Sequence, residues 1–339
     1  MAIAITWVDE GDRYYSDELS NILRTNVQPL VKFRQFADVK DATKKGLHRG
    51  NKFRWNRYGD VGTQGREIGE LQNMPQTNFS SDQAELTVTE YGNSVPYTGK
   101  LEKLGLHSVV DIIDKALRND ARKAFDIAAY NQFDLTPLKV QPTSGTSSTA
   151  VTFVENGNVA SANDIAYGAD HAKAIADGME ERNIPPYSGD DYVAISHPTT
   201  FRPIKNDLET INQYTESGIG RIYRGEIGRY EQIRHVKQNQ IPKGGAEDST
   251  TFDPYTRTAD AWDNGKSSWI FFFGDDTVAE AIVVPEEIIA KIPTDFGRSK
   301  AIAWYYLGGF GIVHDGGGPT GGSNGEAAQC RIVKWDSNS

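Results

Sequence analysis

The chain has 339 residues, 38% hydrophobic and 10% aromatic, which is enough apolar material for a folded core in about two domains and excludes a disordered chain. A formal net charge of -10 argues against an ordinary high-affinity nucleic-acid binder, and the single cysteine, Cys330, excludes an intrachain disulfide framework and multi-cysteine metal sites. The N-terminus has no basic region ahead of its apolar run, which stops at Asp9, and no stretch of about 18 apolar residues occurs, so neither a secretory signal nor a membrane span is expected.

Residues 1–23 are acidic and flecked with aromatics, with too few recurring apolar positions to bury a face, and read as an extended arm lying on something else. From Arg24 to Arg57 the charge reverses: ten lysines and arginines face only Asp38 and Asp41. Such a segment suits an acidic neighbouring subunit, a polyanion or simply a solvated basic face. Lys52–Tyr58 and Ala84–Tyr91 each alternate with the two-residue period of a half-exposed strand. About 25 residues rich in Gly, Gln and Asn separate them, longer than an ordinary loop, and a two-stranded ribbon is marginal by itself in water. The hairpin is expected to lie on another molecule or another part of the chain.

Ser108–Phe133 reads as one long helix. Ser108 and Asp111 match a capping pattern, and Val109, Ile113, Ala116, Leu117, Ala124, Ile127 and Ala128 fall on one arc. Asp111, Lys115, Arg118, Arg122, Lys123 and Asp126 fall mostly on the opposite one. Asp120 breaks the pattern, because it sits within the apolar arc. Either it reaches a solvent edge or an arginine of its own chain, or it meets a basic residue of the arm or hairpin, its own or a neighbour's.

Pro137–Thr149 reads as a break and Val151–Val154 as a strand. Ser161–Asn183 has the pattern of a second amphipathic helix, with Ile165, Ala169, Ala172, Ala176 and Met179 on one face. Tyr192–Ser196 is a buried-type strand, followed by His197-Pro198 and a short helix to Leu208. Gly218–Gly228 is a glycine-punctuated loop, and Tyr230–Val236 a strand. Trp269–Phe273, Thr277–Val284, Ala301–Val313 and Gln329–Trp335 supply closing strands, with a glycine-rich surface turn at Gly316–Gly322.

Chemistry-bearing patterns are sparse. The glycines of 218–228 lack the Lys-Ser/Thr of a phosphate loop and the strand–loop–helix setting of a dinucleotide site. His197 has no recognisable nucleophile or third partner and reads as a turn residue before Pro198. The other histidines show no metal-ligand spacing, Asp275-Asp276 and Glu286-Glu287 lack a calcium-loop pattern, and Cys330 reads as a packed thiol. No catalytic, cofactor-binding or metal-binding residue is expected.

The order of parts carries more information. Glu85–Gly92 followed by Lys100-Leu101-Glu102, Ile195-Ser196-His197-Pro198 through Leu208, and Gly225–Gly228 with the strand to Val236 together resemble the major capsid proteins of tailed bacteriophages. The branch they are most similar to is the coat group typified by coliphage N-four. The resemblance implies an α+β fold with an N-terminal arm (1–48), an extended hairpin loop (49–100), a peripheral domain with a spine helix (101–150), an axial domain (151–265) and returning strands (266–339). It implies hexamers and pentamers closing into an icosahedral shell around double-stranded DNA, bound without sequence specificity. Expected partners are other copies of the chain, a scaffolding protein, a portal protein and a decoration protein, in the virion after assembly in the host cytoplasm. Arg54, Trp55, Arg57 and Arg66 of the hairpin, and Arg118, Asp120 and Arg122 of the helix, are the candidate assembly residues. Some members of that family weld neighbours through a loop lysine; here no lysine lies between Lys52 and Lys100, so a non-crosslinked shell is expected. A cellular nanocompartment shell of the same fold and, more distantly, a β-rich glycan-binding or hydrolase domain are the competing readings.

Overall fold

A computed structural model describes residues 32–41, 50–61, 65–77, 79–155, 157, 165–212, 229–238, 268–314 and 330–337. The arm as far as residue 31, the Gly218–Gly228 loop, residues 239–267 and the Gly316–Gly322 turn lie outside the described residues. In chain order the elements are a 3-10 turn (Phe33–Phe36), β1 (Asp38–Asp41), β2 (Lys52–Val61), β3 (Phe79–Thr87), β4 (Thr89–Thr98), α1 (Gly99–Leu104) and α2 (Val109–Asp134). There follow β5 (Lys139–Pro142), β6 (Val151–Val154), α3 (Ala169–Glu181), β7 (Tyr192–Ser196), α4 (Arg202–Asn212), β8 (Arg229–Tyr230), β9 (Ile233–Lys237), β10 (Ser268–Phe273), β11 (Val278–Ala290), β12 (Ser299–Ile312) and β13 (Ile332–Ser337).

The strands form three sheets: a four-stranded one in the order β1-β11-β12-β4, a seven-stranded one in the order β6-β5-β13-β10-β7-β9-β8, and the two-stranded β2-β3 ribbon. The seven-stranded sheet is covered on both faces, which explains the unbroken apolar runs of β7 and β10. On β10, Phe271 and Phe273 turn toward α2, while Ile270 and Phe272 turn toward α3 and α4 with Met179, Phe201 and Trp335. In the four-stranded sheet the ladder between β11 and β12 slips around Pro285, whose nitrogen has no hydrogen to donate.

Helix α2 joins the two larger sheets. Its capping is as the sequence predicts, the Ser108 hydroxyl accepting from the Asp111 N–H. Phe125 packs on Tyr306 and Trp304 of β12 at 4.6 and 5.4 Å between ring centres, whereas Tyr130 and Phe133 pack on Phe271 and Phe273 of β10 at 5.7 and 5.0 Å. Phe33 closes the junction, 5.5 Å from Tyr130 and 5.8 Å from Phe271.

Several sequence expectations need correcting. The buried arc of α2 runs through Leu117, Ala121, Phe125 and Ala129; Ala116 is exposed, and Asp126, placed on the polar arc by periodicity, is buried. A helix covered by two sheets and the 3-10 turn has more than one buried face. Ala84–Tyr91 is not one strand: pairing with β2 ends at Thr87, and from Thr89 the chain pairs with β12. The alternation continues through the switch, so periodicity cannot reveal it. The expected break at Pro137–Thr149 contains β5. The second amphipathic helix begins at Ala169, with Ile165 outside it; Asp207 of α4 accepts from the Ala169 N–H and His171 Nδ1 from the Gly168 N–H, fixing the start through a tertiary contact. Tyr230–Val236 is a tight hairpin turned at Glu231 and Gln232, both left-handed at φ 45° and 58°.

Candidate assembly site

The β2–β3 ribbon rises from the four-stranded sheet. Phe53, Trp55 and Leu86 pack on Ala281, Val283 and Leu307, and the glycines of β12 permit the approach. A Cβ on Gly309 would stand 2.6 Å from the Thr87 carbonyl oxygen, and one on Gly311 would touch Leu86. Arg57, only 9% exposed, donates from Nη1 to the Val313 carbonyl at 3.0 Å. The ribbon therefore runs along β12 toward and past its C-terminal end. Beyond Arg57 the apolar side chains have no cover among the other described residues: Tyr58 and Phe79 meet edge-to-face, and Ile68, Leu71 and Met74 of the connecting loop are exposed.

The other face of the ribbon is held across the strands. Glu85 receives Lys52 at 2.6 Å and Arg54 at 3.0 Å, and these hydrogen bonds keep its carboxylate below the usual range although it is exposed. Of the basic segment flagged in the sequence, these residues and Arg34 find their acidic partners within the chain.

Arg34, in the 3-10 turn, is the centre of the charged network. Its guanidinium reaches Glu280 on β11 at 2.9 Å and Glu286 at 3.2 Å, with its carbon 4.3 Å from the centre of the Phe125 ring. Tyr306 donates to the same Glu280 at 2.9 Å. Burial alone would lower the arginine's pKa, but the two carboxylates reverse this and raise it; burial followed by the Glu280 charge pushes the Tyr306 phenol well up. Nearby, Asp126 accepts from the Arg34 N–H at 3.3 Å and from the Gln238 amide, and burial lifts its carboxyl to about 6 in spite of these donors.

The candidate assembly residues divide by position. Arg57 and Trp55 sit at the ribbon's inner face, and Arg54 is paired across it. Asp120 is at the edge of the α2 arc and accepts from Trp304 Nε1 and Asn93 Nδ2, both at 2.9 Å, so its described partners are neutral groups of its own chain, not a basic residue. Arg118 pairs with Asp114 one turn away at 2.8 Å, while Arg122 and the loop's Arg66 are exposed with no ion pair among the described residues. Arg118 and Arg122 flank a cleft of about 300 Å³ between α2 and β11, floored by Leu117, Phe125, Ile288 and Trp304. Periodicity did not find that cleft, because β11 contributes its wall from sequence far removed. A second exposed apolar group, Ile288, Ile289, Ile292 and Phe296, marks the tip of the β11–β12 hairpin.

His197 is the turn residue expected, its Nδ1 2.8 Å from the Thr199 hydroxyl, and Cys330 is a buried free thiol. Among the described residues no group of three His, Cys, Asp or Glu side chains is arranged to hold a metal ion, and no helix is long and apolar enough to cross a membrane.

A family model described as phage capsid protein matches residues 83–322. Among solved structures, the chain is similar to the capsid of cyanophage P-SCSP1u (13% identity, 97% of this chain and 94% of that one covered, TM-score 0.62). It is likewise similar to the cyanophage Pam1 capsid (12%, 96% and 97%, 0.62) and to the capsid of Ralstonia phage GP4 (13%, 97% and 96%, 0.60). No curated protein sequence matches. The likeness does not single out the coliphage N-four group, and neither the nanocompartment nor the glycan-binding reading is favoured. With a family match across most of its length and an α+β architecture shared with phage capsids from end to end, the chain belongs to the phage capsid protein family and is a major capsid protein of the virion.

Proposed function

We propose that copies of this chain form hexamers and pentamers that close into an icosahedral shell around double-stranded DNA, acting as a structural protein without catalytic activity. The observation that carries this reading is the β2–β3 ribbon: two strands, anchored at the root, whose outer part exposes Tyr58, Ile68, Leu71, Met74 and Phe79 with no cover from the other described residues. A neighbouring copy supplies that support, and head-to-tail contacts of this kind close into rings. Many modest contacts then add through multivalency.

In this reading the arm is 1–48 and the extended loop 49–100. The four-stranded sheet with the first part of α2 serves as the peripheral domain, and the seven-stranded sheet with α3 and α4 as the axial domain. Assembly takes place in the host cytoplasm with a separate scaffolding protein and a portal protein. The negative overall charge suits an inner wall that does not grip DNA by sequence. Negative-stain microscopy of the purified protein tests the reading: closed shells or capsomer rings are expected, and a uniformly monomeric protein would overturn it.

A further inference from the structure

One carboxyl group stands where α2 meets both the 3-10 turn and the end of β9. Asp126 is 1% exposed. On one side it accepts from the Arg34 N–H at 3.3 Å, and the N–H groups of Lys32 and Phe33 also favour its charged form. On the other side it accepts from the side-chain amide of Gln238, which is fully buried. The Gln238 backbone N–H in turn donates to the Ser196 carbonyl at 2.9 Å, where the β7–β9 ladder ends. Asp126 thus ties two stretches of chain to the helix, one arriving at Lys32 and one departing at Gln238.

The two partners respond in opposite ways to its charge. Backbone N–H groups only donate, and they bind a carboxylate more strongly than a neutral carboxyl. The Gln238 Oε1 is buried without a donor among the described residues. A protonated Asp126 supplies that donor, whereas an ionised one sets negative charge beside a bare oxygen. The charged and titratable groups on the surrounding elements are Lys32 and Arg34 of the turn, Arg122, Lys123 and Tyr130 of α2, His235 and Lys237 of β9, Glu280 and Glu286 of β11, and Tyr306 of β12. The Arg34 guanidinium is taken up by Glu280 and Glu286, and among the described residues no charged side chain is bonded to Asp126. Burial holds the carboxyl at about 6, so the two forms exchange dominance near neutral pH.

We propose that Asp126 is a proton-operated catch on the end of β9: protonated, it holds the turn and Gln238 together; ionised, it keeps the turn and releases Gln238. Release frays the last rungs of β9, Val236 and Lys237 against Ile195 and Ser196, while the turn stays seated on α2. The inference stands apart from the shell reading and concerns each copy by itself.

Amide hydrogen exchange of the full chain at pH 5 and pH 7.5, corrected for the intrinsic chemical rates, tests it. Protection of the Gln238 amide is expected to fall at least tenfold between the two, with a midpoint near pH 6. The Gln35 and Ala37 amides, which close the turn onto Lys32 and Arg34, and those of α2 are expected to change much less. Asp126→Asn, which donates at every pH, and Gln238→Met, which lacks the bare oxygen, should each flatten the response. Equal protection of Gln238 at both pH values, a loss shared in full by the turn and α2, or a response that survives in Asp126→Asn would overturn the inference.

Discussion

The carboxylate of Asp120 accepts hydrogen bonds at 2.9 Å from both the Trp304 indole N–H and the Asn93 amide, joining α2 to β12 and β4 at the edge of the helix's buried arc. Asp120→Ala leaves both donors unmatched and is expected to cost about 1–3 kcal/mol, read by urea unfolding followed through tryptophan fluorescence. Asp120→Asn keeps one acceptor oxygen and should lose less. Because the described partners are neutral, the Asn variant is also expected to assemble normally; failed assembly of a stably folded Asn variant would show that the charge itself is needed.

Arg34 holds Glu280, which is 1% exposed, against the four-stranded sheet. Truncating one member of a buried pair strands the other, so Arg34→Ala is expected to cost about 3–5 kcal/mol. Glu280→Gln, which can still accept from Tyr306, should cost clearly less. Equal losses for the two variants in thermal or urea unfolding would contradict the assignment of Glu280 as the stranded charge.

Asp126 makes stability depend on pH. Its carboxyl titrates at about 6 in the folded chain against an ordinary 3.8, because burial outweighs the donors around it. Between those values the folded state holds a proton that the unfolded state has released, so this contribution is full at low pH and is lost as pH rises through the folded value. The difference is on the order of 3 kcal/mol. Asp126→Asn stays neutral and can donate to the Gln238 side-chain oxygen, which has no other partner among the described residues. The variant should match the natural chain near pH 4 and exceed it in urea midpoint at pH 7; a constant gap would refute the assignment.

Arg57 ties the ribbon to the end of β12 through Val313. Arg57→Ala is expected to speed amide exchange in β2 and β3 by roughly tenfold, corresponding to a loss of about 1.4 kcal/mol from local stability, while leaving β10 and β13 unchanged. Uniform acceleration through the chain would place the effect in global stability instead.

With no lysine between Lys52 and Lys100, the outer ribbon has no amine to form an amide with a neighbour. Denaturing gels of mature particles should show a single monomer band. Covalent ladders would refute this.

Much of the architecture is legible in the residues because burial is periodic: the α2 span, its Ser108 cap, the ribbon's alternation and the apolar runs of β7 and β10 all follow from one local rule each. What escaped depends on partners remote in sequence. Val88 looks like any strand residue, and only the ladders of its two neighbours, Thr87 to Lys52 and Thr89 to Gly308, show that the chain changes sheets there. Asp126 looks solvent-facing until the 3-10 turn and Gln238 cover it. The arginines of the cleft were singled out from α2 alone, but their apolar floor needs Ile288 and Trp304, which no local pattern connects to them.

Helix α2 is clamped by aromatic stacks at two points, against β12 at one and β10 at the other, and the root of the ribbon is seated on β12 through Leu86, Gly309, Gly311 and the Arg57–Val313 hydrogen bond. Mechanically, that is a beam joined firmly to both sheets, with an outrigger fixed at its root. Bending of the ribbon then costs least outboard of Arg57, where among the described residues it disturbs the least packing.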